Sequence, residues 1–320
     1  MNKNPPSRTL LSLFVASAFC MIGTHASAAP TVNWDAVKGQ DIVLFYPGQA
    51  SWEWLLTDHS ASKSVKNGTK CLECHDGEEK DMGTVLVSGK KLEPTPISGK
   101  SGFLKANAKF ARDNERLYVR VEWTDPNFHA PKKMDPDNAV KLAVMFASGK
   151  VVKEAAIAGC WAGCHDDATD MASATTGKER TLYLPASRNK LKRQGGGDDF
   201  KSPAELETLL KSGVFMEYWQ AKLNKGQPAK AGSGYILEKR HKPEKSIDAT
   251  SAFKDGKWTV VMSRPLKSSG DGQEDFAPGS TYMVGFAIHD DYTEGRFHYL
   301  SFGRNLAIDS GNADFIAVKQ

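Results

Sequence analysis

Two cysteines and a histidine lie close together at Cys71, Cys74 and His75, in the sequence Cys-Leu-Glu-Cys-His. Two thiols at this spacing, followed at once by an imidazole, form the attachment pattern of a c-type haem. Each thiol adds to one vinyl group of the porphyrin, which brings the next residue over the iron as an axial ligand. A zinc site would need a second ligand pair, and a disulfide gives no role to His75. We therefore predict a covalent haem ligated by His75.

A second stretch repeats this pattern with one extra residue between the thiols, at Cys160, Cys164 and His165. The small residues Ala162 and Gly163 would let the longer arch fold tightly against a porphyrin edge. The alternative is that both cysteine pairs are redox thiols. A histidine follows the second thiol in both places, however, and redox pairs do not require one. The sequence therefore predicts two covalently bound haems c.

The opposite face of the first haem needs a ligand of its own if the iron is to be six-coordinate. His59 lies a short distance upstream of Cys71 and is our prediction for this ligand. The alternative interpretation of His59 is an exposed loop histidine. His129, in the turn-like segment Asn127–Pro131, is the second choice.

For the second haem we predict His165 on one side of the iron and His298 on the other. If Arg296 to Phe302 forms a strand, alternation places His298 on one face with Leu300 and Phe302. Such apolar surroundings suit either a haem ligand or a buried core histidine. His289, on a separate predicted strand, is the main competitor.

The first 28 residues have the features of a secretory signal peptide. Lys3 and Arg8 give a basic start, Leu10–Gly23 is mostly apolar, and Ala26–Ala28 offers small residues for cleavage. The apolar run is too short for a comfortable transmembrane span. We therefore expect an exported protein of the periplasm without stable membrane insertion.

The cysteine count and the net charge argue against a structural disulfide and against a nucleic-acid-binding protein. Of the five cysteines, Cys20 would leave with the signal peptide and the other four belong to the two motifs. No thiol then remains for a structural disulfide, although the compartment is oxidising. The formal net charge is +4, and it falls to +2 once Lys3 and Arg8 are removed. This small balance argues against nucleic acid as a partner.

Hydrophobic periodicity indicates a mainly β fold. Ser202-Pro203-Ala204-Glu205 has the cap and first-turn residues of a helix that reaches Leu209. We expect loops and a short strand between Asp76 and Glu115. Strands are predicted at Asp41–Tyr46, Leu117–Trp123, Ala139–Phe146, Lys257–Arg264, Tyr282–His289 and Arg296–Phe302.

Several of these segments resemble a known family. The order of Ala139–Phe146, Phe215–Trp219, Trp258–Leu266 and Tyr282–Ser301 is similar to the haem-binding domain of certain cytochromes c-552. The gamma subunits of ethylbenzene dehydrogenase and of its dimethyl-sulfoxide-reductase-type relatives share that domain. The resemblance covers about Leu117 to the C-terminus. It implies a β-sandwich-like haem-binding domain with helical insertions.

The chain departs from the family at both ends of the haem pocket. The gamma subunits hold one non-covalent haem b between a methionine and a lysine. Gly159–His165 stands where the methionine segment is expected, and His298 stands where the lysine is expected. The resemblance therefore implies the same pocket with a covalent haem and two histidine ligands, and it does not imply a gamma subunit of a molybdenum enzyme.

We predict three regions: a signal peptide over residues 1–28, a smaller loop- and helix-rich c-type haem region over residues 29–115, and a haem-binding β domain over residues 116–320. The predicted function is that of a dihaem cytochrome c in an anaerobic-type respiratory chain. Two axial imidazoles per iron leave no open position for a substrate, which favours an electron carrier over an enzyme. Expected partners are a quinol dehydrogenase, other cytochromes or a terminal reductase. The alternatives are a haem subunit of a larger dehydrogenase or reductase, and a dihaem peroxidase or reductase with one open iron.

Overall fold

The computed structural model describes most of the chain after the predicted signal peptide. Apart from Met1, that peptide lies outside the described residues, as do the side chains of Glu53, Cys164 and His165. Residues 33–320 form one compact unit. Within the described residues, no helix is long and apolar enough to cross a membrane. The described residues are 1, 32–50, 52–148, 151–165, 182–190, 199–242 and 247–320.

The fold is mainly β, as predicted. The strands are β1 Gln40–Phe45, β2 Phe103–Arg112, β3 Arg116–Thr124, β4 Val140–Ala147, β5 Cys164–His165, β6 Leu182–Tyr183, β7 Met216–Leu223, β8 Lys230–Ile236, β9 Arg240–His241, β10 Asp248–Lys254, β11 Lys257–Pro265, β12 Thr281–His289, β13 Tyr299–Leu300, β14 Arg304–Ile308 and β15 Phe315–Lys319. The helices are α1 Trp52–Thr57, α2 Ser62–Lys66, α3 Cys71–His75, α4 Glu79–Val87, α5 Lys153–Ala158 and α6 Pro203–Lys211.

Among the described residues, all strands except β5 and β6 join one sheet. Six of them close into a ring, in the order β1, β2, β15, β14, β12 and β13, with β13 pairing again to β1. Two extensions leave this ring. Strands β3, β11 and β10 continue from β2, whereas β4, β7, β8 and β9 continue from β12. The strands β5 and β6 pair separately with each other.

The hydrophobic core is formed by side chains of both the ring and its extensions. Phe110 of β2 lies within 6.4 Å, centre to centre, of the rings of Phe146, Phe286 and Phe315, which come from three other strands. Each of these aromatic side chains removed from water contributes about 2 kcal/mol of hydrophobic stabilisation. The apolar run Leu142–Ala147 of β4 is explained by the central place of this strand between β12 and β7.

The helices carry the first cysteine motif and its surroundings. Helices α1 to α4 follow one another between β1 and β2, with α3 consisting of the motif itself.

Helix α6 has the predicted capping box, since the Glu205 amide donates to Ser202 Oγ at 3.4 Å and the Ser202 amide donates to Glu205 Oε2 at 2.9 Å.

Two local predictions differ from the structure. The segment Asp76–Glu115, predicted as loop and short strand, contains helix α4 and the ten-residue strand β2. In Arg296–Phe302 only Tyr299 and Leu300 pair as a strand. All seven side chains of that segment are buried, so it has no solvent-facing side and strict alternation does not apply. The predicted boundary at residues 115 and 116 falls at the β2–β3 turn, and the division into regions stays a prediction.

Candidate haem sites

The first motif lies on the short helix α3. Residues that are three and four positions apart share one face of a helix, so Cys71, Cys74 and His75 point to the same side. Cys71 is half-buried, Cys74 is exposed, and both are unpaired thiols. All three side chains line one cavity of about 810 Å³.

His59, from the turn after α1, lines the same cavity. The centres of the His59 and His75 rings are 5.9 Å apart. Metal–imidazole bonds of roughly 2 Å place the centres of two rings on opposite sides of one ion about 6 Å apart. The two rings therefore have the spacing of a pair of axial ligands. His129 is not among the residues that line this cavity, and its side chain is 82% exposed, 3.9 Å from Asp291.

Hydrogen bonds set the orientation of both imidazoles. Nδ1 of His75 lies 2.8 Å from Glu78 Oε2, so its N–H donates to the carboxylate and the Nε2 lone pair is available to a metal. Nδ1 of His59 instead accepts from the Ala61 amide at 3.1 Å, which leaves the ring proton on Nε2. For Nε2 of His59 to become a ligand, that proton must leave and the Ala61 contact must be released.

The pKa of Cys71 argues against a reactive redox thiol at this position, and the pKa of His59 suits a metal ligand. Burial raises the pKa of the Cys71 thiol to about 11, whereas reactive thiol pairs need a lowered pKa. Burial, and secondarily the charge of His75, lower the pKa of His59, so that its neutral, metal-binding form dominates at neutral pH. The part of the chain described here holds no cluster of three or more candidate ligand side chains for a bare metal ion.

The walls of the first cavity also fit a flat aromatic group. Apolar side chains surround the motif, among them Met82 and Leu86 from α4, and Trp161 and Phe302 from elsewhere in the chain. The indole N–H of Trp161 is buried and has no hydrogen-bond partner among the described residues. A haem carboxylate would satisfy such a donor.

The second motif begins at Cys160, in a 3-10 helix at Gly159–Ala162 that follows α5. Cys160 Sγ lies over Gly285 of β12, where a Cβ atom would approach the sulfur to 2.5 Å. Any larger residue at this position would push the thiol away from the sheet. Complete burial raises the pKa of Cys160 to about 12, which keeps the thiol protonated. The backbone of Cys164 and His165 forms β5, whereas their predicted roles as thioether and iron ligand concern side chains outside the described part.

The face of the sheet below Cys160 forms the floor of a second cavity of about 930 Å³. Directly paired residues of neighbouring antiparallel strands share a face, so β12, β4, β7 and β8 present rows of side chains. From Cys160 outward, the rows are Gly285, Met145, Tyr218 and Gly234, then Ala287, Ala143, Gln220 and Gly232, and finally His289, Lys141, Lys222 and Lys230. The small residues Ala287, Ala143 and Gly232 of the second row leave room above the sheet for a flat group, whereas Met145 and Tyr218 of the first row have larger side chains.

The two candidate histidines for the second haem stand together at the edge of this floor. His298 is 5% exposed, and both rings line the cavity. Their centres are 4.8 Å apart and their planes differ by 19°. Nε2 of His289 lies 3.2 Å from the carbonyl oxygen of Gly295 and must donate to it. This bond places the proton of His289 on Nε2 and leaves its Nδ1 available to a metal, so the geometry does not separate the two histidines.

Two residues that line the first cavity are close in sequence to residues of the second site. Trp161, directly after Cys160, lines the first cavity, and so does Phe302, four residues after His298. The Phe302 ring stacks beside His75 with centres 6.2 Å apart. Phe45 lies 4.9 Å from Phe302 and 5.6 Å from Trp161, between ring centres. A chain of aromatic contacts therefore leads from His75 to the residue next to Cys160.

Several of these residues were not singled out in the sequence. Glu78 has a local signal, since an acidic residue three positions after His75 can reach its ring. Trp161, Gly285 and Phe302 acquire their places only through tertiary contacts. Lys222 and Lys230 become neighbours through the β7–β8 register, which the sequence alone does not specify.

Comparison with known proteins adds an independent observation. The chain is 36% identical to cytochrome c-552 of Stutzerimonas stutzeri over 320 residues, covering 98% of this chain and 99% of that protein. It is 26% identical to cytochrome c-551 of Rhodocyclus tenuis, covering 90% of this chain and 99% of that protein.

Residues 231–301 match the family model described as ethylbenzene dehydrogenase. A solved structure, a putative carbohydrate-binding protein from Bacteroides uniformis, overlaps 62% of this chain and 69% of its own at 11% identity. Its TM-score of 0.30 is too low to support an argument about fold or function.

Proposed function

Because this chain belongs to the family of the Stutzerimonas stutzeri cytochrome c-552 and is accordingly a c-type cytochrome, we propose that it carries two covalent haems and transfers electrons in the periplasm. Its partners would be other redox proteins, such as a quinol dehydrogenase, other cytochromes or a terminal reductase of an anaerobic-type respiratory chain. Bound haem would supply an iron that takes up and releases one electron.

One observation carries the proposal. His59 and His75 lie 5.9 Å apart, between ring centres, in a cavity that also holds Cys71 and Cys74. The two thiols would anchor the porphyrin, and the two imidazoles would hold the iron from both faces. Glu78 would keep the proton of His75 on Nδ1. An iron with two imidazoles has no vacant position, which favours electron transfer over an enzymatic reaction.

The number of haems is the first test. We expect a pyridine haemochrome assay on the denatured protein to return two c-type haems per chain, because two motifs account for the four cysteines after Cys20. Replacing Cys71 and Cys74 together by alanine, or Cys160 and Cys164 together, should each remove one haem. A wild-type chain with one haem would mean that the longer motif is not an attachment site.

Two haems are useful to a carrier only if electrons pass between them. Trp161 and Phe302 support this step, since both line the first cavity, Trp161 directly follows Cys160, and both are more than nine-tenths buried. Electron tunnelling through packed rings and covalent bonds is faster than across a gap. We propose that the contacts from His75 through Phe302 and Phe45 to Trp161 are the route between the two sites.

Replacing Trp161 by leucine should slow electron exchange between the two haems. We expect the rate constant to fall by on the order of tenfold, equivalent to about 1.4 kcal/mol in activation free energy. Rapid photochemical reduction, followed by the redistribution of absorbance between the haems, measures this rate. Trp34→Leu is the control, because Trp34 lines neither cavity. An unchanged rate in Trp161→Leu, or an equal loss in the control, would exclude the route.

A further inference from the structure

A row of positively charged side chains crosses the floor of the second cavity. Lys141, Lys222 and Lys230 occupy directly paired positions on β4, β7 and β8. They therefore share a face of the sheet, with neighbouring Cβ atoms roughly 5 Å apart. Like charges that lie directly opposite on paired strands destabilise the sheet. An anion bound between these lysines would offset their mutual repulsion and so explain why they lie side by side.

Only one of these lysines is neutralised by the protein within the described part of the chain. Lys141 Nζ lies 2.9 Å from Asp135 and 3.7 Å from Glu294, and these two are the carboxylates that line the cavity. Lys222 and Lys230 are exposed at the rim and form no ion pair with any described residue. Two adjacent cations on this floor therefore lack a carboxylate.

The position of the row relative to Cys160 indicates which anion fits. The row lies four residues further along the strands than Gly285, about 13 Å, and Lys222 and Lys230 lie two and three strands to the side of β12, about 10 and 14 Å away at the spacing of neighbouring strands. A haem joined to Cys160 has its thioether edge at the protein sulfur and its two propionates on the opposite edge. Between the two ends, the paired residues Ala287 and Ala143 have small side chains and leave room above β12 and β4.

We propose that Lys222 and Lys230 bind the two propionate carboxylates of the haem attached at Cys160. This inference rests on the proposed second haem and adds its orientation: thioether edge over Gly285, carboxylate edge at the β7–β8 pair. Two lysines side by side match two carboxylates on neighbouring pyrrole rings. Arg240, which also lines the cavity and is held to Gln220 at 3.0 Å, adds a third positive charge nearby.

The reduction potential of the second haem tests the proposal. Replacing Lys222 or Lys230 by glutamine leaves a propionate charge without its partner and so stabilises the ferric state. Spectroelectrochemical titration of the intact dihaem protein should resolve two components. We expect one of them to shift to lower potential in each single variant, and further in the double variant, with the low-spin spectrum unchanged. Propionate bending bands in resonance Raman spectra should shift in the same variants.

Lys225→Gln is the matched control. Lys225 follows β7 directly but pairs with Asp125 at 2.7 Å and lies outside the cavity lining. If the double variant holds two haems and neither reduction potential changes, the propionate contacts are wrong while the proposed function stands. The same conclusion follows if Lys225→Gln shifts a potential equally. The same holds if the double variant only reacts more slowly with an anionic redox reagent, which would indicate a docking surface. A wild-type chain with one haem would overturn the proposed function together with this inference.

Discussion

Replacing His59 by alanine is expected to convert the first haem from a low-spin to a high-spin ferric state. The variant loses the ring that lies 5.9 Å from His75, and no other histidine lines that cavity among the described residues. His75 would then be the one remaining protein ligand of this iron. Because the loss of an axial imidazole changes the ligand field of one of the two irons, we expect a large change in the spectrum of that haem.

Visible and electron paramagnetic resonance spectra measure the change. We expect a high-spin ferric signal that accounts for one haem, and carbon monoxide binding to that haem after reduction. The covalent haem should stay attached, since Cys71 and Cys74 are unchanged. His129→Ala is the control, because this side chain is 82% exposed and lies outside the cavity. A low-spin spectrum in His59→Ala combined with a high-spin fraction in His129→Ala would assign the ligand to His129.

The cysteine motifs could be found in the sequence because their chemistry is local. Helix α3 sets the directions of Cys71 and His75 by helical spacing alone, and the haem interpretation needs nothing else. The family resemblance likewise depended on strands with strong patterns. Strand β4 is apolar apart from Lys141, and β11 ends at Pro265, which cannot donate to a ladder.

Other parts of the fold had no clear local pattern. Strand β8 contains Gly232 and Gly234, which have low strand propensity, yet it forms part of the floor of the second cavity. Strand β13 is shorter than its alternating sequence suggests, because Arg296–Phe302 is buried on all sides. His298 and Phe302, expected on one face, line different cavities.

The relation between the two sites could not be predicted from the sequence at all. The contact of Cys160 with Gly285 depends on how α5 and the following 3-10 helix pack on β12. The place of Trp161 in the wall of the first cavity follows from the same packing. Tertiary contacts of this kind join segments more than a hundred residues apart, and neither periodicity nor motif spacing reports them.

Replacing His298 by alanine should open the second iron to small ligands. His298 is 5% exposed at the edge of the cavity, whereas Nε2 of its stacked neighbour His289 donates to the Gly295 carbonyl. Both rings lie beside the cavity, and we propose His298 as the ligand opposite His165 because the family resemblance places it where a lysine is expected to bind iron. We expect His298→Ala to bind carbon monoxide at the reduced second haem, with a high-spin ferric signal from one haem.

Two further variants separate ligation from packing. His298→Met replaces an imidazole by a thioether, so the iron should stay low-spin while its reduction potential rises, because methionine favours the ferrous state. A variant that only disturbed the packing would not produce this combination. His289→Ala is the matched control and should remain low-spin, since it removes a stacking partner and not the ligand. Carbon monoxide binding in His289→Ala, and none in His298→Ala, would transfer the assignment to His289.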